Sequence, residues 1–187
     1  MSFDFELGLW NAWIFMLPHL LTFPFFFRLG KEKGAPHPTG VRISKIMEIF
    51  CITSKLIYFP AVVYSFFVPL KLGTIWFYIG FPITLVGLVT SWRVLYDWAK
   101  TSPGEPVTRG LYRYSRHPMY VSASLFLFGV SIASASWVFL LFSIIITVGA
   151  VVFIDHEEQQ CLKHYGNAYR EYMKRTPRWI GAPKSER

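Results

Sequence analysis

Charge and cysteine are both scarce in this chain of 187 residues. Only 16% of residues are Asp, Glu, Lys or Arg, against roughly a quarter in an average soluble domain. Hydrophobic residues make up 53% and aromatic residues 19%. A soluble domain of this length has too little interior to hide that much apolar surface, which excludes an ordinary soluble enzyme. Two cysteines, Cys51 and Cys161, lie far apart, so a disulfide scaffold is excluded and no C-x-x-C spacing points to a bound metal. The opening MSFDFELGLW has no basic stretch and no small-residue cleavage site, so no cleaved leader is expected. Internal repeats and low-complexity linkers are also missing, and one domain, 1–187, is expected. The net charge of +8 would suit nucleic acid, but the basic residues lie between apolar runs rather than on one surface. Membrane topology accounts for them better, and no nucleic-acid partner is expected.

What the chain does have is long apolar runs. A crossing helix takes roughly 20 mostly apolar residues. Residues 7–27, 43–70 and 74–95 qualify, with Pro18, Pro24 and Pro82 as expected kinks. A basic Gly/Pro-rich loop occupies 28–40, and a polar connection occupies 97–116. Then come 37 residues, 118–154, without a charged side chain. That is too long for one span, and the small polar run 131–136 near its middle predicts a hairpin with arms at 119–130 and 137–154. The expected architecture is an all-α integral membrane protein with five transmembrane helices. Three N-terminal spans fill 1–96, and a C-terminal hairpin belongs to 97–187.

Sixteen of the 19 Lys and Arg residues fall at 28–45, 97–116 and after 154. With five spans these segments share one face, which the positive-inside rule makes cytoplasmic, with the N-terminus outside. After the last span, Leu162, Tyr165, Tyr169 and Tyr172 recur at helical spacing among polar residues. This predicts an amphipathic cytoplasmic helix with an aromatic face, ended by Pro177.

Two dense polar clusters flank the hairpin: V-T-R-G-L-Y-R-Y-S-R-H-P-M-Y at 107–120 and D-H-E-E at 155–158. Pro118 suits the first turn of a helix, which puts His117 at the cap, beside the positive end of the dipole. There the imidazole tends to stay neutral, and free backbone N–H groups face an anionic ligand. The same Arg and Tyr residues would also serve as an interfacial anchor. Asp155, Glu158 and Leu162 share a helix side with the tyrosines, and Glu157 is expected to point elsewhere. No spacing among His117, His156 and Glu157 is diagnostic of a metal site, and no metal is expected. Within the spans, Glu48 and Lys55 share a helix face, and Arg93 and Asp97 are spaced to pair.

The motifs G-L-Y-R-Y-S-R-H-P-M-Y, the apolar hairpin, the E-E doublet and the tail Y-G-N-A-Y-R-E-Y-M-K-R-T-P-R-W-I together resemble the isoprenylcysteine carboxyl methyltransferase family of membrane enzymes. The resemblance covers roughly residues 97–183. It implies S-adenosylmethionine as methyl donor and makes 97–187 the cofactor-binding, catalytic half. It assigns the cofactor to Asp97, Gly104, Glu105, Pro106, Val107, Tyr112, His117, Pro118, Met119, Tyr120 and Glu158, with Arg116, His117 and Glu158 positioning it. The implied acceptor is lipophilic and enters from the bilayer, most directly the C-terminal carboxylate of a prenylated cysteine. N-methylation of a phospholipid headgroup is the alternative, and it requires loss of a proton. A nicotinamide-dependent sterol reductase relative is a third reading, for which the chain is short. Ile154 departs from the pattern: relatives acting on prenylated cysteine tend to carry an arginine there. Arg93, Arg113 or Arg178 would have to take its place at the acceptor. A monomer is expected.

Overall fold

The computed structural model describes residues 8–32, 45–102 and 104–183. The expected Glu48–Lys55 pair and most of the basic loop lie outside the described residues and side chains. The described chain is helical: α1 (Trp13–Glu32), α2 (Lys45–Ser65), α3 (Ile75–Ala99), a 3-10 turn (Gly110–Arg113), α4 (Pro118–Ala133), α5 (Trp137–Tyr165) and α6 (Asn167–Arg175). Among the described residues no strand forms beyond one isolated bridge, Asn11 to Pro69.

Several boundaries differ from expectation, each for a local reason. α1 begins at Trp13 because the residues before it are held extended: Ala12 N–H donates to Val68 O at 2.9 Å, and Leu70 N–H donates to Trp10 O at 2.9 Å. α3 continues to Ala99, so Asp97 lies on a helix and not in the polar connection. A charge at the bilayer edge ends an apolar run but need not end a helix. α5 continues without a break through the acidic cluster to Tyr165. Gly166, at φ +55°, then breaks the chain direction before α6 starts. The stripe from Leu162 to Tyr172 is therefore divided between two helices. α6 ends before Pro177, as expected. The hairpin turn is tighter than 131–136: Ser131 stays in α4, and Ala135 takes φ +48°.

Among the described residues three helices are long and apolar enough to cross a membrane, namely α3, α5 and the Trp13–Gly30 part of α1. α4 and the Leu56–Ser65 part of α2 are apolar but shorter. At 1.5 Å per residue, the charge-free portion of α5, 137–154, is about 27 Å long, close to the ~30 Å hydrocarbon thickness. The turns from Asp155 onward extend past it.

Small residues set the spacing of α3 and α4. Gly80, Thr84, Gly87 and Ser91 form one buried face of α3. A Cβ on Gly80 would overlap the Ala133 backbone, and one on Gly87 would overlap the backbone of Phe126. From the other side, a Cβ on Gly129 would overlap Thr84. With water-driven burial absent in lipid, such backbone-close packing is a main source of helix association. α1 joins through His19, whose Nδ1 lies 2.7 Å from Tyr58 Oη and whose ring stacks on Phe126 at 4.1 Å. Trp92 Nε1–H donates to Thr22 Oγ1 at 2.6 Å, which ties α3 to α1. Close α3–α4 packing brings the C-terminal end of α3 beside the N-terminal end of α4, where both polar clusters lie.

Candidate active site

Glu158 is the node. It is 3% exposed, and both its oxygens are bonded. Arg116 Nε donates to Oε1 at 2.8 Å, and His117 Nε2 lies 3.0 Å from the same oxygen. Arg178 Nη2 donates to Oε2 at 2.7 Å and also meets Asp155 Oδ1 at 2.8 Å. Burial opposes the charge on Glu158. The hydrogen bonds from His117 and Arg178 and the nearby Arg116 charge outweigh it and hold the carboxyl at about 2. Arg178 is shifted upward in turn, first by its hydrogen bond to Glu158.

The loop before α4 is built to present Arg116 and His117. Pro118 occupies the first helical turn and His117 the cap, as the sequence predicts, but the imidazole makes no capping bond and reaches across to α5 instead. Ser115 Oγ accepts the His117 N–H at 3.1 Å. The segment after α6 straps the loop in place: Arg116 N–H donates to Pro177 O, and Gly181 N–H donates to Tyr114 O, both at 3.0 Å. Arg116 Nη1 also donates to Met173 O at 3.1 Å.

Glu157 corrects an expectation, because it faces the same site. Tyr120 Oη donates to its Oε2 at 2.8 Å, and His117 Nδ1 lies 3.7 Å from that oxygen. The His117 and Tyr120 rings stack at 5.8 Å. Burial raises the Glu157 carboxyl, with His117 and Tyr120 pulling the other way. Helical spacing alone misses this, since α4 is close enough to receive two adjacent side chains of α5.

Tyrosines form the wall. Tyr112, Tyr169 and Tyr172 are buried with Val94, and Val107, Met119 and Leu162 pack against them. Tyr172 Oη donates to Tyr112 O at 2.7 Å, so α6 is latched onto the 3-10 turn. Burial pushes all three phenols upward, and they remain protonated donors.

Asp97 is 7% exposed and accepts from Arg93 Nε at 3.2 Å, the expected pair. Gly110, at φ +56°, packs directly on its carboxylate. Replacing Gly110 with alanine should strain the turn by about 1–2 kcal/mol and push Asp97 from its place. Thermal unfolding together with ligand affinity would register both effects, and an unchanged protein would remove Asp97 from the site.

The structure thus joins Arg116, His117, Tyr120 and Glu158 directly. Tyr112, Val107, Met119 and Pro118 sit beside them, and Asp97 lies behind the 3-10 turn. Pro106 is half-buried, while Gly104 and Glu105 are exposed on the connection. Ile154 is buried at 1% and supplies no polar group, and Arg113 is exposed. Among the described residues no group of three or more His, Cys, Asp or Glu side chains is arranged to hold a metal ion.

No curated protein matches this chain. The family described as phospholipid methyltransferase matches residues 72–168, which is more than half the chain and takes in α3, the 3-10 turn, α4 and α5. That family and the isoprenylcysteine carboxyl methyltransferases, whose motifs this sequence resembles, belong to one superfamily of integral membrane methyltransferases. A helical membrane scaffold and a polar site at the matched helix ends agree with that match, and the chain belongs to the phospholipid methyltransferase family.

Proposed function

We propose that this membrane methyltransferase transfers a methyl group from S-adenosylmethionine to a lipophilic acceptor at the membrane face where Glu158 lies. The observation that carries the reading is the Glu158 node, with Arg116, His117 and Arg178 on one buried carboxylate. The donor set fits the cofactor. Around the node, three carboxylates (Asp155, Glu157 and Glu158) face two guanidiniums (Arg116 and Arg178), an excess of one negative charge. S-adenosylmethionine carries an ammonium, a sulfonium and a carboxylate, an excess of one positive charge. Arg178, partly exposed and held by Glu158 and Asp155, suits the cofactor carboxylate. The net acidic charge of the node suits the cationic end, and the tyrosine wall suits adenine or the sulfonium. The bound cofactor supplies an electrophilic methyl. The chain's part is to orient the donor and acceptor in line and to exclude water.

All five of α1 to α5 cross the bilayer in this reading, with α4 and α5 as the hairpin. The N-terminus is outside and the site cytoplasmic, in keeping with the basic loops.

For the acceptor, two observations favour a phospholipid amine over a prenylcysteine carboxylate. Ile154 offers no cation, and Arg178, which holds Glu158 and Asp155, is taken in this reading by the cofactor carboxylate. An amine must also lose a proton before methylation, and Glu157, raised by burial and 2.8 Å from Tyr120 Oη, is placed to take it. The motifs keep the prenylcysteine carboxylate as the second reading.

Binding of labelled S-adenosylmethionine to purified protein, followed by methyl transfer to phosphatidylethanolamine or farnesylcysteine, tests both levels. Absence of cofactor binding overturns the function; transfer to farnesylcysteine alone overturns the acceptor. Glu158 is fully ionised above pH 5, since its carboxyl is held at about 2. Its contribution is present above the ordinary carboxyl value and is lost only as pH falls toward 2. The affinity ratio of wild type to Glu158→Gln should therefore be the same at pH 5.5 and pH 8.

A further inference from the structure

The lipid-side face of α3 carries a second polar feature, apart from the Glu158 node. Val86, Val89, Trp92 and Tyr96 are exposed and recur at three- and four-residue spacing, the stripe of a helix that faces lipid. At its C-terminal end the stripe turns cationic. Lys100 Nζ sits 4.4 Å over the Tyr96 ring, and Arg93 Cζ sits 5.8 Å from the same ring centroid. Arg93 spends only its Nε, on Asp97, and its side chain is 58% exposed. Its two Nη groups have no protein partner among the described residues.

We propose that Arg93, Tyr96 and Lys100 form a docking site for the phosphodiester of a membrane phospholipid. Charge is the first reason. Two cations gather over one ring, and among the described residues one carboxylate, Asp97, pairs with them, through Arg93, so the cluster is one negative charge short. A phosphodiester monoanion supplies that charge and accepts from both the guanidinium fork and the ammonium. Depth is the second reason. α3 has 25 residues, about 37 Å at 1.5 Å per residue, so roughly its last turn stands beyond a hydrocarbon core of ~30 Å, and Arg93, at the core's edge, reaches headgroup level with its long side chain. Direction is the third: the unspent donors lie on the face that meets lipid, where phosphodiesters are dense. Because Arg93 also holds Asp97, a lipid seated here is tethered one residue contact from the candidate active site. The lipid's part in turnover rests on the phospholipid reading above; its binding does not.

Native mass spectrometry of the detergent-purified protein, with no cofactor present, tests the site. Dioleoylphosphatidylglycerol, dioleoylglycerol and oleate are the probes. Wild type should retain the phosphatidylglycerol far better than the other two. The double variant R93Q/K100A should bind it more weakly, by roughly fivefold for each cation removed. Lys100→Arg should restore most of the affinity of Lys100→Ala, since it returns the charge. Equal retention of dioleoylglycerol or oleate, or undiminished binding by the double variant, overturns the proposal. Wild type that retains phosphatidylglycerol here but shows no methyl transfer in the separate assay with S-adenosylmethionine would instead count against the function.

Discussion

Replacing Glu158 with alanine is expected to produce the largest functional loss of any single change. Removing it leaves Arg116 with no carboxylate and Arg178 with only the exposed Asp155. Breaking one partner out of a buried ionic cluster costs roughly 3–5 kcal/mol, or about a hundred- to several-thousandfold in whatever equilibrium depends on it. S-adenosylmethionine affinity should fall by that order, and methyl transfer should become undetectable. Part of the cost will appear as lower stability, since Arg116 also anchors Met173 O and the strap after α6. Glu158→Gln separates the two effects. The amide keeps the shape and can still accept from Arg116 but carries no charge, so it should stay folded and still lose most cofactor affinity. Full affinity in Glu158→Gln would sink the assignment of Glu158 as the node.

The largest structural effect is expected from Gly87→Leu. The Phe126 backbone fills the space that a side chain would need, and backbone atoms cannot swing aside as a side-chain tip can. α3 and α4 would have to separate. Overpacking of this kind costs roughly 1–3 kcal/mol, and for a chain of this size each kcal/mol lowers Tm by about 2–4 °C. A drop in Tm of that order should appear in detergent. Activity should fall further than stability alone accounts for, because Asp97 on α3 and His117 at the start of α4 move apart. A Gly87→Leu protein with wild-type Tm would show that small residues do not set this interface.

Some of this was open to reading from particular residues. The absence of charge across 118–154, with small polar residues at its middle, points to a helical hairpin because a helix satisfies its backbone groups in lipid within its own segment. Pro118 after His117 marks where α4 starts, because its missing N–H costs nothing in a first turn and its fixed φ suits a helix. The GLYRYSRHPMY motif and the E-E doublet point to a methyltransferase, which the family match bears out at that level. Spacing of four makes Arg93 and Asp97 a pair.

Other features needed packing. Gly80, Thr84, Gly87 and Ser91 stand in plain view at helical spacing, yet only the approach of α4 gives them a purpose. Glu157 and Glu158 point about 100° apart on one helix, and periodicity assigns them to different faces. The start of α4 lies so near that Tyr120 takes one and His117 touches both. Arg178 reaches Glu158 from 20 residues away because Gly166 turns the chain back on itself. Sequence by itself determined which segments are apolar, where helices start and which polar motifs matter, because those follow from local chemistry. The tertiary structure alone decided which charges meet, because that depends on how closely backbones approach and on where the chain reverses.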